Sequence, residues 1–441
     1  MLKITGSLNS QHLEAEQLKS KIDEEIKIHG IVYKIREMSG FSFVLLKTKR
    51  KLIQCVYVKE DVKSNEAELK ENMSVIITGK VQKEERSPLG YEIIIEEIEV
   101  LSKPVEETPI IINKNTVPVN INVLLDYRPI TLRNIKERAI FKIQEGICMG
   151  FRKYLIQNGF TEIHSPKIVF SGAEGGANIF TVDYFDRKAF LAQSPQFYKQ
   201  IMVGVFERVF EIAPVFRAEK HNTTRHLNEY TSVDIEVGFI KSFYEIMEIE
   251  TCMIREVLLY LQENYKSELE LLKVKIPEVK EIPSIKFWDA KELISKTYKR
   301  EITDFEDFEP EEEKLLCAII KKQTGSEFVF VTHYKSSKRP FYAMDTPEDP
   351  EVTESFDLLF RGLEVTTGGQ RVHDYNAQVA KMKERGMDPE LFNSYLMAHK
   401  YGLPPHGGLG LGLERFTARL LDLNNVRLAT MFPRDIDRLE P

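Results

Sequence analysis

The sequence predicts an α+β protein in which a small β-barrel precedes a larger domain of mixed strands and helices. The first observation is a set of five short segments before residue 103 that alternate apolar and polar side chains, as strands with one buried face do. The second is a pair of long segments, 138–158 and 244–265, whose apolar residues recur at helical spacing. Strand-like alternation lies between these two helices, so the second domain is expected to contain both element types.

Composition places the chain among ordinary globular proteins. Its 441 residues are 42% hydrophobic and 29% charged, enough for two or three domains with a sizeable core. The N-terminal residues resemble no secretory signal, and no apolar run approaches the ~18 residues of a membrane helix. The four cysteines lack CxxC spacing, so we expect a cytoplasmic protein without a zinc site or disulfide framework. The net charge of −7 argues against indiscriminate nucleic-acid binding but permits a local basic surface.

The first domain, residues 1–103, is predicted to be a five-stranded barrel. Five strands separated by short turns suggest an OB-fold, the commonest barrel with that number of strands. Phe43 and Gln54 flank a basic turn at 47–51, and such barrels bind single-stranded nucleic acid with rings and hydrogen-bonding groups of this kind. The alternative is that Phe43 is a core residue and the basic turn a solvated hairpin tip. The pattern alone leaves both open.

A proline-containing segment, 104–127, breaks the strand pattern and is predicted to be a linker to the second domain, 128–441. Within that domain, an apolar strand at 210–216 ends in Arg217 and Glu219. A guanidinium at a strand end can bind a phosphate through two hydrogen bonds, and a nearby carboxylate can accept from an adenine amino group.

The strand is followed by a polar loop at 220–229 that contains Arg225 and His226, and alternation resumes at Tyr230, whose ring could stack on a base. Long loops between sharp strand signals are usually functional or disordered. This arrangement suits a nucleoside triphosphate, and the alternative is a β-hairpin with a solvated loop.

Three segments carry a resemblance to a known family. FRAE followed by RHLNEYTSVDIE resembles motif 2 of class II aminoacyl-tRNA synthetases, specifically the aspartyl-tRNA synthetases of the archaeal and eukaryotic type. GLGLER resembles motif 3, and FPRDIDRLEP is similar to the C-terminus of the archaeal-type enzymes. A helix, a strand and Pro166 match the layout of motif 1, which builds the dimer interface in the family. The resemblance implies a class II catalytic domain, an antiparallel sheet flanked by helices, and a homodimer.

For the amino acid, the resemblance implies a pocket for aspartate. Lys199 and Arg371 would bind the side-chain carboxylate, because a buried lysine needs a charged partner that an amide substrate does not supply. Asparaginyl enzymes lack a lysine at this position. The remaining implied pocket residues, which surround the ammonium group or line the pocket, are Glu174, Ser194, Gln196 and Asp234.

For ATP, the resemblance assigns Arg217 to the α-phosphate and Arg415 to the γ-phosphate, with Glu219 and Tyr230 on adenine. Arg225 and His226 would contribute from the loop, or be solvated. Asp357 and Glu364 would hold Mg²⁺, since hard oxygen ligands suit that ion. An odd separation of seven residues puts two side chains on opposite faces of a strand, so this site requires a turn near 361–362. The residues expected to carry catalysis are Arg217, Glu364 and Arg415.

The implied reaction activates L-aspartate with ATP and transfers it to the 3′ end of tRNA(Asp). The barrel would bind the anticodon through Phe43 and Gln54. Pro88 favours additional charging of tRNA(Asn), because relaxed members of the family carry proline there and strict members lysine. Tyr33 occupies a second marker position and matches neither form. The alternatives are a strictly tRNA(Asp)-specific enzyme, an asparaginyl enzyme, a regulatory relative, and a tRNA-independent enzyme that adenylates aspartate; the last kind lacks the barrel.

Overall fold

The computed structural model of the protein describes residues 15–49, 51–172, 178–220 and 223–441. It divides into two compact units, Met1–Pro118 and Val119–Pro441. The division lies within the segment 104–127 that the sequence predicts to be a linker. Each unit has its own sheet and its own core.

The first unit is a barrel that begins with a short helix, α1 (Ala15–Leu18). Its strands are β1 (Glu25–Glu37), β2 (Ser42–Lys47), β3 (Leu52–Tyr57), β4 (Lys63–Ser64), β5 (Ser74–Lys83) and β6 (Tyr91–Ser102). The strand order is β3-β2-β1-β5-β6-β4, and an additional parallel pairing of β3 with β6 closes the barrel. The two-residue β4 joins only the edge of β6, so the predicted five-stranded OB-fold is confirmed.

The long strand β1 makes the closure possible because it forms antiparallel pairs with two different strands. Its first half pairs with β5 and its second half with β2, and the register shifts between Val32 and Lys34. Such a bulge bends a strand and increases its twist. Side chains from alternate positions fill the interior, among them the fully buried Val44, Ile53 and Ile77.

The second unit is built on an eight-stranded sheet with the order β13-β14-β17-β18-β19-β12-β11-β7. The helices are α2 (Ile121–Asp126), α3 (Arg128–Thr131), α4 (Ile135–Gln157), α5 (Gln196–Phe206), α6 (Tyr244–Asn264), α7 (Lys266–Leu272), α8 (Phe287–Tyr298), α9 (Pro310–Thr324), α10 (Tyr375–Glu384), α11 (Asn393–Lys400) and α12 (Leu413–Leu420). The strands are β7 (Thr161–Glu162), β8 (Ile168–Val169), β9 (Thr181–Tyr184), β10 (Arg187–Leu191), β11 (Arg208–Phe216), β12 (Glu229–Gly238), β13 (Ser284–Lys286), β14 (Phe328–Thr332), β15 (Asp345–Thr346), β16 (Asp349–Thr353), β17 (Ser355–Phe360), β18 (Leu363–Gln370) and β19 (His406–Gly412).

The pairings in this sheet are antiparallel except at its two edges, where β7 runs parallel to β11 and β13 parallel to β14. Helices α4, α6 and α12 bury apolar side chains against the central strands, and Phe151, Ile254 and Phe416 are fully buried in this core. The predicted fold class, an antiparallel sheet flanked by helices, is confirmed. In the described part of the chain, no helix is long and apolar enough to cross a membrane.

Two hairpins of this sheet position the residues that the sequence singled out. Strands β11 and β12 pair from Arg208 with Val237 to Phe216 with Glu229, as predicted for the two sides of the long polar loop. Strands β17 and β18 are joined by a two-residue turn, Arg361 and Gly362, in which both residues have positive φ. Such turns match the twist of an antiparallel pair.

Candidate active site

One face of the central sheet forms the floor of a cavity of about 890 Å³. Strands β12, β18 and β19, helix α5 and the loop between β11 and β12 all contribute to its lining. Twelve of the predicted site residues line it: Ser194, Gln196, Lys199, Arg217, Glu219, Arg225, His226, Tyr230, Asp234, Glu364, Arg371 and Arg415. Glu174 lies outside the described residues. The fold therefore gathers in one cavity residues that are as far apart in sequence as Ser194 and Arg415.

At one end of the cavity lies a buried lysine. Lys199, on α5, is 2% exposed, and its Nζ lies 2.8 Å from Asp234 Oδ1 and 3.5 Å from Glu236 Oε2. Nζ also donates to the main-chain carbonyl of Leu409, at 2.9 Å. Asp234 and Glu236 are two residues apart on β12, so their side chains share one face of the strand.

A second cation shares one of these carboxylates. Arg371 follows β18, and its Nε donates to Glu236 Oε1 at 2.9 Å. Burial favours the neutral form of Glu236, but the charges of Arg371 and Lys199 outweigh it and hold the pKa of Glu236 below its usual value. The carboxylate is therefore ionised and links the two cations. Sequence reasoning missed Glu236; its position two residues after Asp234, on the same strand face, was the available signal.

The base of the loop between β11 and β12 is fixed by its own polar groups. The side-chain amide of Asn228 donates to the carbonyls of Arg217 and Glu219, at 2.7 and 3.0 Å. The Arg217 guanidinium lies 5.8 Å from the centre of the Tyr230 ring, a cation–π distance. His226 Nε2 lies 3.7 Å from Glu219 Oε2. These contacts place a guanidinium, a carboxylate and an aromatic ring side by side.

Further along the loop, Arg225 contacts a residue that the sequence did not single out. Its Nη2 lies 2.5 Å from Oε2 of Glu313 on α9, and that oxygen also accepts from the backbone N–H of Glu364 at 3.1 Å. Burial raises the pKa of Glu313, and the Arg225 charge opposes this. The sequence around Glu313 is an acidic, mixed segment with no motif, so only the fold could bring α9 to this loop.

Arg415, at the start of α12, connects the loop to the β17–β18 hairpin. Its Nε donates to the carbonyl of Arg225 at 3.4 Å, and its Nη1 donates to the carbonyl of Glu364 at 3.1 Å. Nη1 also lies 3.5 Å from Glu364 Oε2. Burial favours the neutral form of Glu364, but Arg415, the Thr367 hydroxyl and two further arginines together outweigh it and lower the pKa of this carboxyl.

The predicted metal ligands lie on neighbouring strands. Asp357 is opposite Thr367 and Leu359 is opposite Glu364, with a register shift between Leu358 and Leu359. Burial, together with the nearby charge of Glu364, raises the pKa of Asp357 to about 6. Of these two residues, Glu364 lines the cavity and Asp357 does not.

The donor set fits Mg²⁺ bound together with phosphate. Mg²⁺ is usually held by one or two carboxylates plus substrate oxygens and water, not by an all-protein cage. The described residues contain no cluster of three or more His, Cys, Asp or Glu side chains that could hold a metal ion. Asp357 is also paired with Arg339, whose Nη2 lies 2.8 Å from Asp357 Oδ1. Arg339 lines the cavity and was missed from the sequence because no motif contains it.

The four barrel residues predicted to bind tRNA differ in exposure. Pro88 is exposed in the turn between β5 and β6, and Phe43 is half-buried, with its ring 5.1 Å from that of Phe41. Gln54 donates to Glu92 at 2.8 Å. Tyr33 is only 6% exposed, and its hydroxyl donates to the carbonyl of Ile112 at 2.9 Å. Binding of tRNA by these residues stays a prediction.

Comparison with known proteins gives matches over both units. Residues 120–436 match the family described as tRNA synthetases class II (D, K and N), and residues 26–101 match the OB-fold nucleic acid binding domain. The chain is 45% identical over 424 residues to an aspartate–tRNA(Asp/Asn) ligase of Deinococcus radiodurans, covering 95% of this chain and 96% of the relative. It is 39% identical to an aspartate–tRNA(Asp) ligase of Pyrococcus abyssi, over 98% of this chain and 99% of the relative.

Solved structures show the same fold over nearly the whole length. Asparaginyl-tRNA synthetase of Pyrococcus horikoshii, complexed with asparaginyl-adenylate, matches with a TM-score of 0.90 at 30% identity, covering 98% of this chain and 100% of the other. Aspartyl tRNA synthetase of Entamoeba histolytica matches with a TM-score of 0.85 at 28% identity, covering 98% of this chain and 93% of the other.

Proposed function

The chain belongs to the class II tRNA synthetases, and on that premise we propose that it is an aspartate–tRNA ligase that charges tRNA(Asp) and also tRNA(Asn). The observation that carries the choice of amino acid is the pair of buried cations, Lys199 and Arg371, bridged by Glu236. Asp234 and Glu236 already balance the two positive charges, so the choice rests on hydrogen-bond polarity. A substrate carboxylate can accept from both cations, whereas the NH2 of an amide side chain would place a donor against a donor. The relatives named as aspartate–tRNA ligases support the same choice.

Activation requires positioning more than covalent catalysis. The side-chain carboxylate of aspartate would bind Lys199 and Arg371, and its ammonium group would face Asp234 and Gln196, with Glu174 as a further proposed partner. The α-carboxylate then attacks the α-phosphorus of ATP, and the bond to pyrophosphate breaks. No side chain needs to act as a nucleophile, because fixed cations around developing charge lower the barrier.

The nucleotide would lie along the loop between β11 and β12. Arg217 would bind the α-phosphate while Tyr230 and Glu219 hold adenine, and Arg415 would bind the outer phosphates. Mg²⁺, held by Asp357 and Glu364, would supply charge neutralisation for the phosphates. In the second step, the terminal ribose 3′-hydroxyl of tRNA attacks the aspartyl carbonyl, AMP leaves, and an ester forms.

The remaining parts of the chain complete the proposal. Residues 1–103 would bind the anticodon, 104–127 would link the domains, and 128–441 would carry the chemistry. Phe43, Gln54, Tyr33 and Pro88 are the proposed tRNA contacts. The region of Pro166 would form the interface of a homodimer, and the enzyme would act in the cytoplasm.

ATP–pyrophosphate exchange, measured separately with aspartate and asparagine, tests the amino-acid assignment. We expect exchange with aspartate and at least a ~100-fold lower kcat/KM with asparagine, because the NH2 of an amide side chain would face the N–H donors of Lys199 or Arg371. Exchange with asparagine alone would make the chain an asparagine enzyme. No exchange with either amino acid would favour a regulatory relative.

Charging of tRNA(Asn) is supported by Pro88 and by relatives whose names include both tRNAs. Relatives named aspartate–tRNA(Asp) ligase support the narrower alternative. Aspartylation of purified tRNA(Asp) and tRNA(Asn) decides between them. We expect comparable kcat/KM for both, and a selective loss of tRNA(Asn) charging in Pro88→Lys. Charging of tRNA(Asp) alone by the unmodified protein would establish the narrower alternative, and aspartate-dependent exchange without charging would indicate a tRNA-independent enzyme.

A further inference from the structure

A row of buried polar side chains lies beside the amino-acid end of the cavity, and only its first member, Gln196, has a role in the mechanism above. It runs from Gln196 through Gln200 to His406, and Tyr395 joins it from α11. All four side chains are at most 4% exposed. Only Gln196 lines the cavity among these four. Buried amides and imidazoles need matched donors and acceptors, so the direction of each hydrogen bond can be worked out.

The direction is fixed at His406. Its Nδ1 lies 2.8 Å from the carbonyl oxygen of Pro404. A carbonyl oxygen can only accept, so Nδ1 carries the proton. Burial lowers the pKa of His406 to about 4, so the imidazole is neutral near pH 7. In a neutral imidazole with a proton on Nδ1, Nε2 is an acceptor.

The next link follows from that acceptor. Gln200 Nε2 lies 2.8 Å from His406 Nε2, which requires the amide nitrogen of Gln200 to donate. The oxygen of Gln200 therefore points the other way, and it accepts from Gln196 Nε2 at 3.1 Å and from the Tyr395 hydroxyl at 3.3 Å. The Tyr395 hydroxyl has one proton, which it can donate either to this oxygen or to Gln378 Oε1 at 3.4 Å, and it is compatible with this orientation of the amide.

The last link determines what Gln196 presents to a ligand. Its amide nitrogen is used by Gln200, so its oxygen Oε1 is the atom left to face the cavity. An oxygen accepts from an ammonium group, whereas an amide nitrogen in the same place would present a donor to a donor. The orientation of the Gln196 amide is thus set by a histidine that is two hydrogen bonds away.

We propose that His406 is a positioning residue for the amino-acid substrate, and that its Nδ1–H tautomer, through Gln200, orients Gln196 with its oxygen toward the substrate ammonium group. This proposal rests on the proposed function, because it assigns an amino acid to this end of the cavity. His406 touches neither substrate nor reacting atoms. It acts on the strength of amino-acid binding and leaves the nucleotide contacts unchanged.

The tautomer can be measured in the unmodified protein. Selective ¹⁵N labelling of the histidine rings, with His406 assigned by loss of its signals in His406→Gln, reports which nitrogen carries the proton. The proposal requires Nδ1–H with an unprotonated Nε2 at neutral pH. An Nε2–H tautomer would overturn the proposal, whether or not the protein catalyses aspartate-dependent exchange.

Substitution tests the effect on binding. His406→Leu removes the acceptor for Gln200, and we expect the aspartate KM in pyrophosphate exchange to rise about 10- to 100-fold, the loss that accompanies one hydrogen bond to a charged group. The ATP KM is expected to stay within about twofold of the unmodified protein, since the row does not reach the nucleotide. His406→Gln, which can place an oxygen near the position of Nε2, should restore most of the aspartate affinity.

Tyr395→Phe is the matched control, because it removes a second donor to Gln200 without removing the acceptor that fixes the amide. Its aspartate KM should change by less than about threefold. The proposal is wrong if His406→Leu binds aspartate as the unmodified enzyme does, or if aspartate and ATP KM rise together. If the unmodified protein showed no exchange with aspartate, the proposed function would fail, and the tautomer measurement would still decide the orientation of the row.

Discussion

At the scale of single residues, the amino-acid end of the cavity is governed by buried charge. Lys199, Asp234 and Glu236 are each at most 2% exposed, so none of these charges is screened by water. Isolated buried charges are costly, and each of these is acceptable only because the others and Arg371 compensate it. The same groups therefore affect both stability and substrate choice.

Lys199→Met removes one cation while approximately keeping the volume. We expect the variant to lose about 3–5 kcal/mol of unfolding free energy, because Asp234 and Glu236 lose their shared partner. Its aspartate kcat/KM should fall by at least ~100-fold. Urea denaturation and pyrophosphate exchange measure the two effects. Lys188→Met is the control, since Lys188 pairs with Asp183 at the exposed surface, where such pairs contribute at most about 1 kcal/mol.

Lys199 could be singled out from the sequence because it lies in a segment that resembles a family motif. Glu236 could not, because a carboxylate on a strand is more often a surface charge. Glu313 and Arg339 could not be predicted from the sequence for another reason. They lie outside the motifs, and each contacts a motif residue only through the tertiary fold.

At the scale of elements, α6 carries a buried carboxyl into the apolar core. Glu250 is fully buried next to β18, and burial, with a smaller contribution from the charge of Asp357, raises its pKa to about 8. In the unfolded chain the group titrates near 4.5. The folded protein therefore holds this proton more tightly than the unfolded chain, and stability falls as the pH rises from about 4.5 through about 8.

Glu250→Gln removes this titration while keeping the shape of the side chain. We expect the unfolding free energy of the unmodified protein to fall relative to the variant by up to about 5 kcal/mol between pH 4.5 and pH 8.5, because one pKa unit corresponds to about 1.4 kcal/mol. Urea denaturation at a series of pH values measures the difference. Glu248 is exposed on the same helix, so the unfolding free energy of Glu248→Gln should depend on pH as that of the unmodified protein does. The same pH dependence in Glu250→Gln and in the unmodified protein would contradict the account.

Strand β19 is glycine-rich because its neighbour β12 approaches closely. A Cβ on Gly408 would lie 2.1 Å from the carbonyl oxygen of Ile235 and 2.2 Å from Glu236 Oε2. Gly408→Ala should therefore lower the thermal midpoint strongly, by more than about 5 °C, and weaken aspartate binding through Glu236.

Gly204→Ala in α5 is the matched control. Its Cβ would meet only Leu403 Cδ1, at 3.4 Å, which is ordinary contact. Alanine is also the better helix former, by about 1 kcal/mol in a helix interior. An equal loss of stability in both variants, measured by calorimetry, would show that the close approach of β12 and β19 is not what requires Gly408.

The elements themselves could largely be read from periodicity. The helix expected at 138–158 is α4, and the strands on both sides of the polar loop are β11 and β12. The small sheet of β8, β9 and β10 was not foreseen, because strands of two to five residues carry too few alternations to give a signal. The odd spacing of Asp357 and Glu364 did indicate the turn at 361–362, because only a reversal could bring them together.

At the scale of the whole molecule, two units with separate cores are expected to divide recognition and chemistry. The order of strands in the large sheet follows from no periodicity, and here the family resemblance supplied what pattern reasoning could not. The net charge of −7 also coexists with a cavity lined by several arginines and a lysine. Local cations, not overall charge, therefore determine which anions bind.

The central claim is that the cavity selects an aspartyl group through Lys199 and Arg371. Calorimetric titration of the full chain with non-hydrolysable analogues of aspartyl-adenylate and asparaginyl-adenylate tests it without depending on tRNA or turnover. We predict that the aspartyl analogue binds at least ~100-fold more tightly, and that Lys199→Met removes most of this preference. Equal affinities, or tighter binding of the asparaginyl analogue, would contradict the account.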